Sequence, residues 1–479
     1  MPFLKFFPST TRSHILLVMF ALLTLRPMQG KSESTDRLFT LRANTSSRSV
    51  ADVQVEFVAK GHLKTPGDGK AKEVDMHVSA QLEFQDRFLG EASPDGVDSS
   101  LCAGRFYHNV DVEMTVGDQT MRPVFRDTRK LMGVFRKESG CFEFFCPDGP
   151  LTRDELDLVR LPGDRQALPY LLPDNPVRIG ATWKLEPQTM VSILGLDAVG
   201  HCDVQSTLTR VEDGFARVAF EGAVHGAVAG VATEVNLRGR YYFYLKHGQF
   251  ATFQMVTREQ RNIGHINPGV DVTAKLKMRL EPQSDAGNLS DSKVFPLRNC
   301  RESDRGKLSY QSPELGLTFD YDASWYATAE DRQAVVFRQL SRGELIAQCN
   351  VSKLPKIKTG KALTLNQFEK DIRETLGKNF GSFVEAHETT SERGYLIYRV
   401  KAIGTASSLP VQWIYYLLSD STGRRLALVF TMERDQVKHF NNADEDWIRS
   451  LEFLPVVEAK SSERKGESNS VAPIKPPVS

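Results

Sequence analysis

Along several stretches of this 479-residue chain every second residue is apolar, and that periodicity restricts the fold more than any other feature. Val53, Val55, Phe57 and Ala59 alternate with Gln54 and Glu56. Val74, Met76, Val78, Ala80, Leu82 and Phe84 repeat the pattern, and Val272, Ala274, Leu276, Met278 and Leu280 close it. Successive side chains of a strand point to opposite faces, so such runs form half-buried antiparallel strands with one face on a core and the other in water. Asp68-Gly69 marks a turn between the first two runs. Further strands are expected at 105–116, 131–136, 141–146, 202–211, 216–220, 223–237, 241–245 and 251–258. Residues 36–282 therefore read as one large antiparallel β-rich domain, a half-barrel or a sandwich.

Few helices interrupt it. Thr152-Arg-Asp-Glu155 is a capping box before Leu156 and Val159, and a short helix is expected at 189–194. Residues 161–176 carry Pro162, Pro169, Pro173 and Pro176 and read as an extended crossing loop.

Residues 283–307 are polar and read as a linker. A second domain is expected at 308–456. It opens with Gly316-Leu-Thr-Phe-Asp-Tyr321 and Trp325, followed by strands at 334–338 and 345–351. A helix follows at 364–376: Thr364 and Gln367 form a capping box, Leu365, Phe368, Ile372 and Leu376 make an apolar stripe, and Gly377 ends it. Strands are expected at 383–388, 395–403, 411–418 and 425–432, then a helix with Trp447, Ile448 and Leu451. The tail, 457–479, has the Ser-, Lys-, Glu- and Pro-rich composition of a disordered segment. The fold class is α+β.

The N-terminus carries an export signal. Lys5 and Arg12 precede the apolar run Ile-Leu-Leu-Val-Met-Phe-Ala-Leu-Leu-Thr-Leu at 15–25, which is too short to span a bilayer and fits a signal peptide at 1–30 with cleavage near Gly30. The expected location is periplasmic, extracellular or associated with the cell envelope, with no transmembrane span after signal removal. Export makes disulfides chemically possible. Cys141-Phe-Glu-Phe-Phe-Cys146 resembles a redox motif, yet five residues of strand separate the two Cα atoms by roughly 16 Å, beyond the reach of a disulfide. The cysteines read as structural, bridged elsewhere or buried free, and Cys349 as a thiol.

Catalytic motifs are scarce. Lys and Arg number 61 against 60 Asp and Glu, a net charge of +1 that gives no reason to expect nucleic acid. There is no Gly-x-Ser-x-Gly elbow, His-Glu-x-x-His, phosphate-binding loop or EF-hand. Gly360-Lys361 lacks the rest of a phosphate loop, and His387-Glu388 lacks a second histidine. His201-Cys202 has no companion pair at metal spacing. The stretch Gly222-Ala-Val-His-Gly226-Ala-Val-Ala-Gly230 is small on both faces. It suits a strand packed closely beneath a helix or loop, or the floor of a hollow for an apolar ligand, with His225 as a core or rim residue. Tyr241-Tyr-Phe-Tyr244 reads as a strand with aromatics on both faces. Asn44, Asn288 and Asn350 are glycosylation acceptors only in a eukaryotic secretory pathway.

The second domain resembles the PsbP-like family of photosystem II extrinsic subunits. The residues that carry the likeness are Gly316-Leu-Thr-Phe-Asp-Tyr321 and Trp325, the capped helix, the strand meander and the closing Ser450-Leu-Glu-Phe453. The resemblance implies an α/β sandwich that acts as an adaptor. The first domain resembles, more distantly, the half-barrels of periplasmic lipoprotein carriers, whose concave face is plugged by helices.

Together these features point to an exported, non-catalytic protein whose partner is another protein. Two other readings stand beside it: a carrier of a lipid-like apolar small molecule in the β-rich domain, and a hydrolase with dispersed carboxylates. No cofactor is expected, and no residue is assigned a catalytic, cofactor-binding or metal-ligating role.

Overall fold

The alternating runs form long strands of a single twelve-stranded antiparallel sheet in the computed structural model, which describes residues 37–46, 49–66, 71–90, 101–358 and 363–455. The expected signal peptide at 1–30, the expected turn at Asp68-Gly69 and the expected disordered tail at 457–479 lie outside the described residues. In chain order the sheet and its covering helices comprise β1 (Val50–Thr65), β2 (Lys72–Phe88), β3 (Leu101–Val116), β4 (Gln119–Met121), β5 (Leu131–Arg136), β6 (Phe142–Phe145), α1 (Arg153–Val159), β7 (Thr182–Lys184), α2 (Pro187–Leu194), β8 (Ala198–Glu212), β9 (Phe215–Val228), β10 (Val231–Tyr244), β11 (Gln249–Arg261) and β12 (Gly269–Gln283). The strand order is β6-β5-β3-β2-β1-β12-β11-β10-β9-β8-β7, with β4 paired to β3. The first and last alternating runs meet at the sheet's centre, where Phe57 sits opposite Leu276 on one side and Ala80 on the other. Their shared parity puts every apolar residue on one face.

That face is covered by chain. Leu168, Leu171, Met190 and Ile193 are fully buried against it, together with Phe57, Tyr241 and Phe253. The segment expected to be extended at 161–176 instead winds into a 3-10 turn over Arg165–Leu171, with Pro169 inside. Asp164 caps its start by accepting the Gln166 N–H at 2.9 Å. Burial of Ala167, Leu168 and Leu171 outweighs the extended preference of the prolines. α1 and α2 form as expected, α1 with both halves of its capping box in place.

Two further expectations are corrected. The run 223–237 is a hairpin: β9 ends at Val228 and β10 starts at Val231. Ala229 and Gly230 form the two-residue connection, both at positive φ (50° and 77°), the geometry whose twist matches that of flanking strands. The linker 283–307 carries α3 (Asp291–Arg298). Val294 and Leu297, one turn apart, are buried among Leu89, Leu101 and Phe135, so two apolar side chains in a polar stretch dock it on the sheet.

The rest of the chain supplies β13 (Lys307–Ser312), β14 (Leu317–Asp322), β15 (Trp325–Glu330), β16 (Ala334–Ser341), β17 (Glu344–Leu354), α4 (Leu365–Leu376), β18 (Phe380–Thr390), β19 (Leu396–Ala406), β20 (Leu409–Ser419), β21 (Arg425–Glu433), α5 (Val437–Phe440), α6 (Ala443–Ser450) and β22 (Glu452–Phe453). They make a three-stranded sheet, β13-β14-β22, and a seven-stranded sheet, β15-β16-β17-β21-β20-β19-β18, both antiparallel. Trp447 of α6 joins the two. Its ring stacks on Phe319 at 4.5 Å and meets Trp325 and Phe337 edge-on at 4.9 and 5.0 Å. The chain is β-rich throughout, with large antiparallel sheets.

The large sheet and the smaller ones touch. Leu151 and Leu308 form a parallel bridge. Arg153 at the start of α1 donates to the carbonyls of Ala323 and Trp325, and its guanidinium lies 4.3 Å from the Tyr326 ring. Buried apolar side chains run without a break from one side of this junction to the other.

Candidate functional site

A buried polar cluster ties the 3-10 turn to the sheet. Asp86 of β2 is fully buried. Its carboxylate accepts from Arg105 Nε and Nη2 at 3.0 and 2.8 Å, from Gln166 Nε2 at 2.7 Å and from Arg165. Arg105 turns its other edge to Asp164, both contacts at 3.1 Å. Burial works against a charged Arg105, but Asp164, Tyr107 and Asp86 outweigh it and hold the guanidinium well above its ordinary range. The cluster is a five-residue bridge between β2, β3 and the covering turn, with Arg165 also over the Phe88 ring at 4.4 Å.

Beyond this cluster, a cavity of about 110 Å³ opens between α1, α2, the β9–β10 turn and Tyr326 of β15. It collects the carboxyl side chains of Asp157, Asp164, Asp197 and Glu259, which are far apart in the chain. Arg153 and Arg160 line it too. Asp197 accepts the Ala229 N–H at 2.5 Å, holding the tight turn, and Glu259 lies 3.7 Å from the buried Arg261. Asp164 holds the covering turn, Asp197 the β9–β10 turn, and Glu259 lies beside its strand neighbour Arg261. Among the described residues no group of His, Cys, Asp and Glu converges with the geometry of a metal site.

The residues singled out in the sequence fall in different places. His201 and His225 are exposed neighbours across β8 and β9, ring centroids 5.9 Å apart, while Cys202 is half-buried with its thiol 3.4 Å from the Leu185 carbonyl. His225 is thus on the exposed face. All six cysteines are free thiols. Cys141 donates to the Leu196 carbonyl and Cys146 to that of Thr128, so the two turn to separate neighbours. Burial raises the Cys102 and Cys146 thiols to about 11, and pushes the Cys349 thiol up as well. The glycine stripe is a set of close approaches. A side chain on Gly226 would run into the Ala198 carbonyl at 2.5 Å and Leu196 at 2.9 Å, beside the end of α2. Tyr241 and Phe243 are fully buried, Tyr242 and Tyr244 are not, so the aromatic run divides between faces. Asn44 is exposed and Asn288 half-buried, while Asn350 is half-buried inside β17 and accepts from Gln348.

One feature of the smaller unit stands out. β18 is the terminal strand of the seven-stranded sheet, and none of its eleven residues is buried. Val384 is 53% exposed at its middle. Its inner edge pairs with β19; among the described residues no strand pairs with its outer edge. Bulges at 380–382 and 383–385 twist it. α4 covers the inner layer through Phe368 and Ile372 on Tyr398, Val400 and Leu417.

No protein-family model matches the chain, and no curated protein matches it. Parts of it are similar to solved structures. A cyanobacterial PsbP from Synechocystis sp. PCC 6803 is 16% identical and aligns with 31% of this chain and 93% of its own, at a TM-score of 0.25. Lipovitellin is 12% identical over 50% of this chain, with a TM-score of 0.31; the chain spans 26% of lipovitellin. A Bacteroides thetaiotaomicron protein is 15% identical over 33% of this chain and 50% of its own, at 0.22. Likenesses of this size assign neither a family nor a function. Among the described residues no helix is long and apolar enough to cross a membrane.

Proposed function

We infer that this is an exported, non-catalytic protein that binds another protein, with its C-terminal unit, 308–456, as the adaptor. The observation that carries the reading is the outer edge of β18, with which no strand among the described residues pairs. A row of free backbone N–H and C=O groups accepts an extended segment as an added strand, with alternate side chains supplying selectivity. The partner's chemistry follows: an extended polypeptide with an apolar residue against Val384. A carrier of an apolar ligand has less support. The cavity reached from the β9–β10 turn holds about 110 Å³ and has charged walls, against roughly 300 Å³ for an apolar ligand site. The hydrolase reading has its carboxylates in one place, but in a space too small for a polymeric substrate and beside arginines that neutralise them.

The test is a photo-reactive residue at Val384 of the full chain, expressed in its own source, with the exposed Val124 as the control position. A covalent adduct to a discrete polypeptide from position 384, absent from 124 and lost on adding Glu388→Pro, is expected. Equal labelling from both positions, or none from 384, rejects strand addition at β18.

A further inference from the structure

A large concavity lies on the side of the sheet away from its core. A trough of about 1350 Å³ runs over the solvent face of β1 and β8 to β12. Its floor is the outward parity of these strands: Arg238 and Arg240 on β10 and Lys275 and Lys277 on β12 are exposed, while Phe220, Met255 and Leu276 are buried in the core beneath.

Its charge departs from that of the whole chain, which is nearly balanced. Six cations line it, Lys60, Arg217, Arg238, Arg240, Lys275 and Lys277, against three carboxylates, Glu56, Asp203 and Glu221. Glu56 is already taken by Lys277 at 3.0 Å. Arg240 is bonded to a neutral partner, the Gln254 amide, at 3.0 Å. Among the described residues, no ion pair involves Lys60, Arg217, Arg238, Arg240 or Lys275, and the buried Nε of Arg217 has no hydrogen-bond partner. Paired charges would have satisfied each other across the strands; here an excess of cations faces an open hollow.

We propose that this trough binds an acidic, extended polypeptide segment of a partner protein. Arg238 and Arg240 lie two residues apart on β10, as do Lys275 and Lys277 on β12, a repeat of roughly 7 Å that matches alternate residues of an extended chain. The Gln205 and Gln254 amides lie among them and can pair with peptide groups, while Val58 and Val256 give apolar contact to the intervening side chains. The one aromatic residue in the lining, Phe220, is buried, so no ring is offered for stacking by a sugar or a nucleobase. The site is separate from the β18 edge and does not depend on it.

The full-length protein is titrated into a fluorescein-labelled peptide of alternating Glu and Ser, and anisotropy is read at low and at moderate salt. Binding that weakens with salt is expected. Arg238→Glu with Lys275→Glu reduces affinity by roughly tenfold or more, while Lys370→Glu with Lys438→Glu, exposed on α4 and α5, changes it by less than about twofold. Circular dichroism checks that each variant keeps its fold, and Arg238→Gln with Lys275→Gln serves if charge reversal unfolds the sheet. Absence of binding below about 1 mM, or equal loss in both double variants, overturns the proposal. Tighter binding of a sulfated polysaccharide or of single-stranded DNA than of the peptide overturns it as well.

Discussion

Gly230 and Gly343 meet backbone to backbone where the large sheet touches the smaller unit. A Cβ added to Gly230 would lie 2.3 Å from the Gly343 carbonyl oxygen, and one added to Gly343 would lie 2.3 Å from the Gly230 Cα. Both glycines have positive φ, 77° and 86°. Two turns from distant parts of the chain thus interlock only because neither carries a side chain.

Substituting either one tests that contact. Gly230→Ala and Gly343→Ala each face a strained conformation and a backbone collision, for a combined cost of about 2–4 kcal/mol. Urea unfolding should show a lower midpoint for both. The double variant should cost less than the sum, because the first substitution already parts the turns. Strict additivity would mean that the turns do not bear on each other.

Asp86 holds two buried guanidinium groups in place. Replacing it with Ala leaves Arg105 and Arg165 without their shared carboxylate, which costs about 3–5 kcal/mol. Asp86→Ala should unfold at lower denaturant and release the 3-10 turn, measured as faster amide exchange over Arg165–Leu171. Unchanged exchange there would show that apolar burial alone fixes the turn.

Glu155 gives an acid-sensitive contribution. Burial alone raises its carboxyl, but the Arg126 guanidinium and the Thr152 N–H outweigh that and hold it below the usual glutamate range. A folded value below the unfolded one stabilises the protein above the unfolded value, about 4.5, and the gain is lost as pH falls through the folded value. Glu155→Gln should be less stable at neutral pH by about 1–2 kcal/mol, with the difference shrinking as the medium is acidified below that value. Thermal melts across the acid range decide it.

The cysteines should behave as inert structural thiols. With all six free, a reductant should leave the melting temperature unchanged. Iodoacetamide at mildly alkaline pH should leave Cys146 and Cys349 unmodified in the native protein, because burial keeps both protonated. Peptide mapping by mass spectrometry reads this directly; rapid native labelling at Cys349 would contradict its burial.

What the sequence determined by itself is local. The alternation from Val53 to Ala59 and from Val272 to Leu280 set the strands and their inward faces, because a period of two leaves one parity to the core. The caps at Thr152 and Thr364 placed α1 and α4, since a side-chain oxygen three residues before a free N–H is a nearest-neighbour interaction. The run Tyr241-Tyr-Phe-Tyr244 put aromatics on both faces of one strand, again by the period of two. The tertiary structure decided what depends on residues far apart. Val294 and Leu297 make a docked helix of a polar stretch only when Leu89 and Phe135 are beside them. Gly230 reads as one more small residue until Gly343 lies against it. Asp86, Arg105 and Asp164 form no motif, because hydrogen bonds across strands leave no spacing in the chain. The cations of the trough escaped notice for the same reason: β9, β10 and β12 bring them to one face, while the summed charge of the chain stays close to zero.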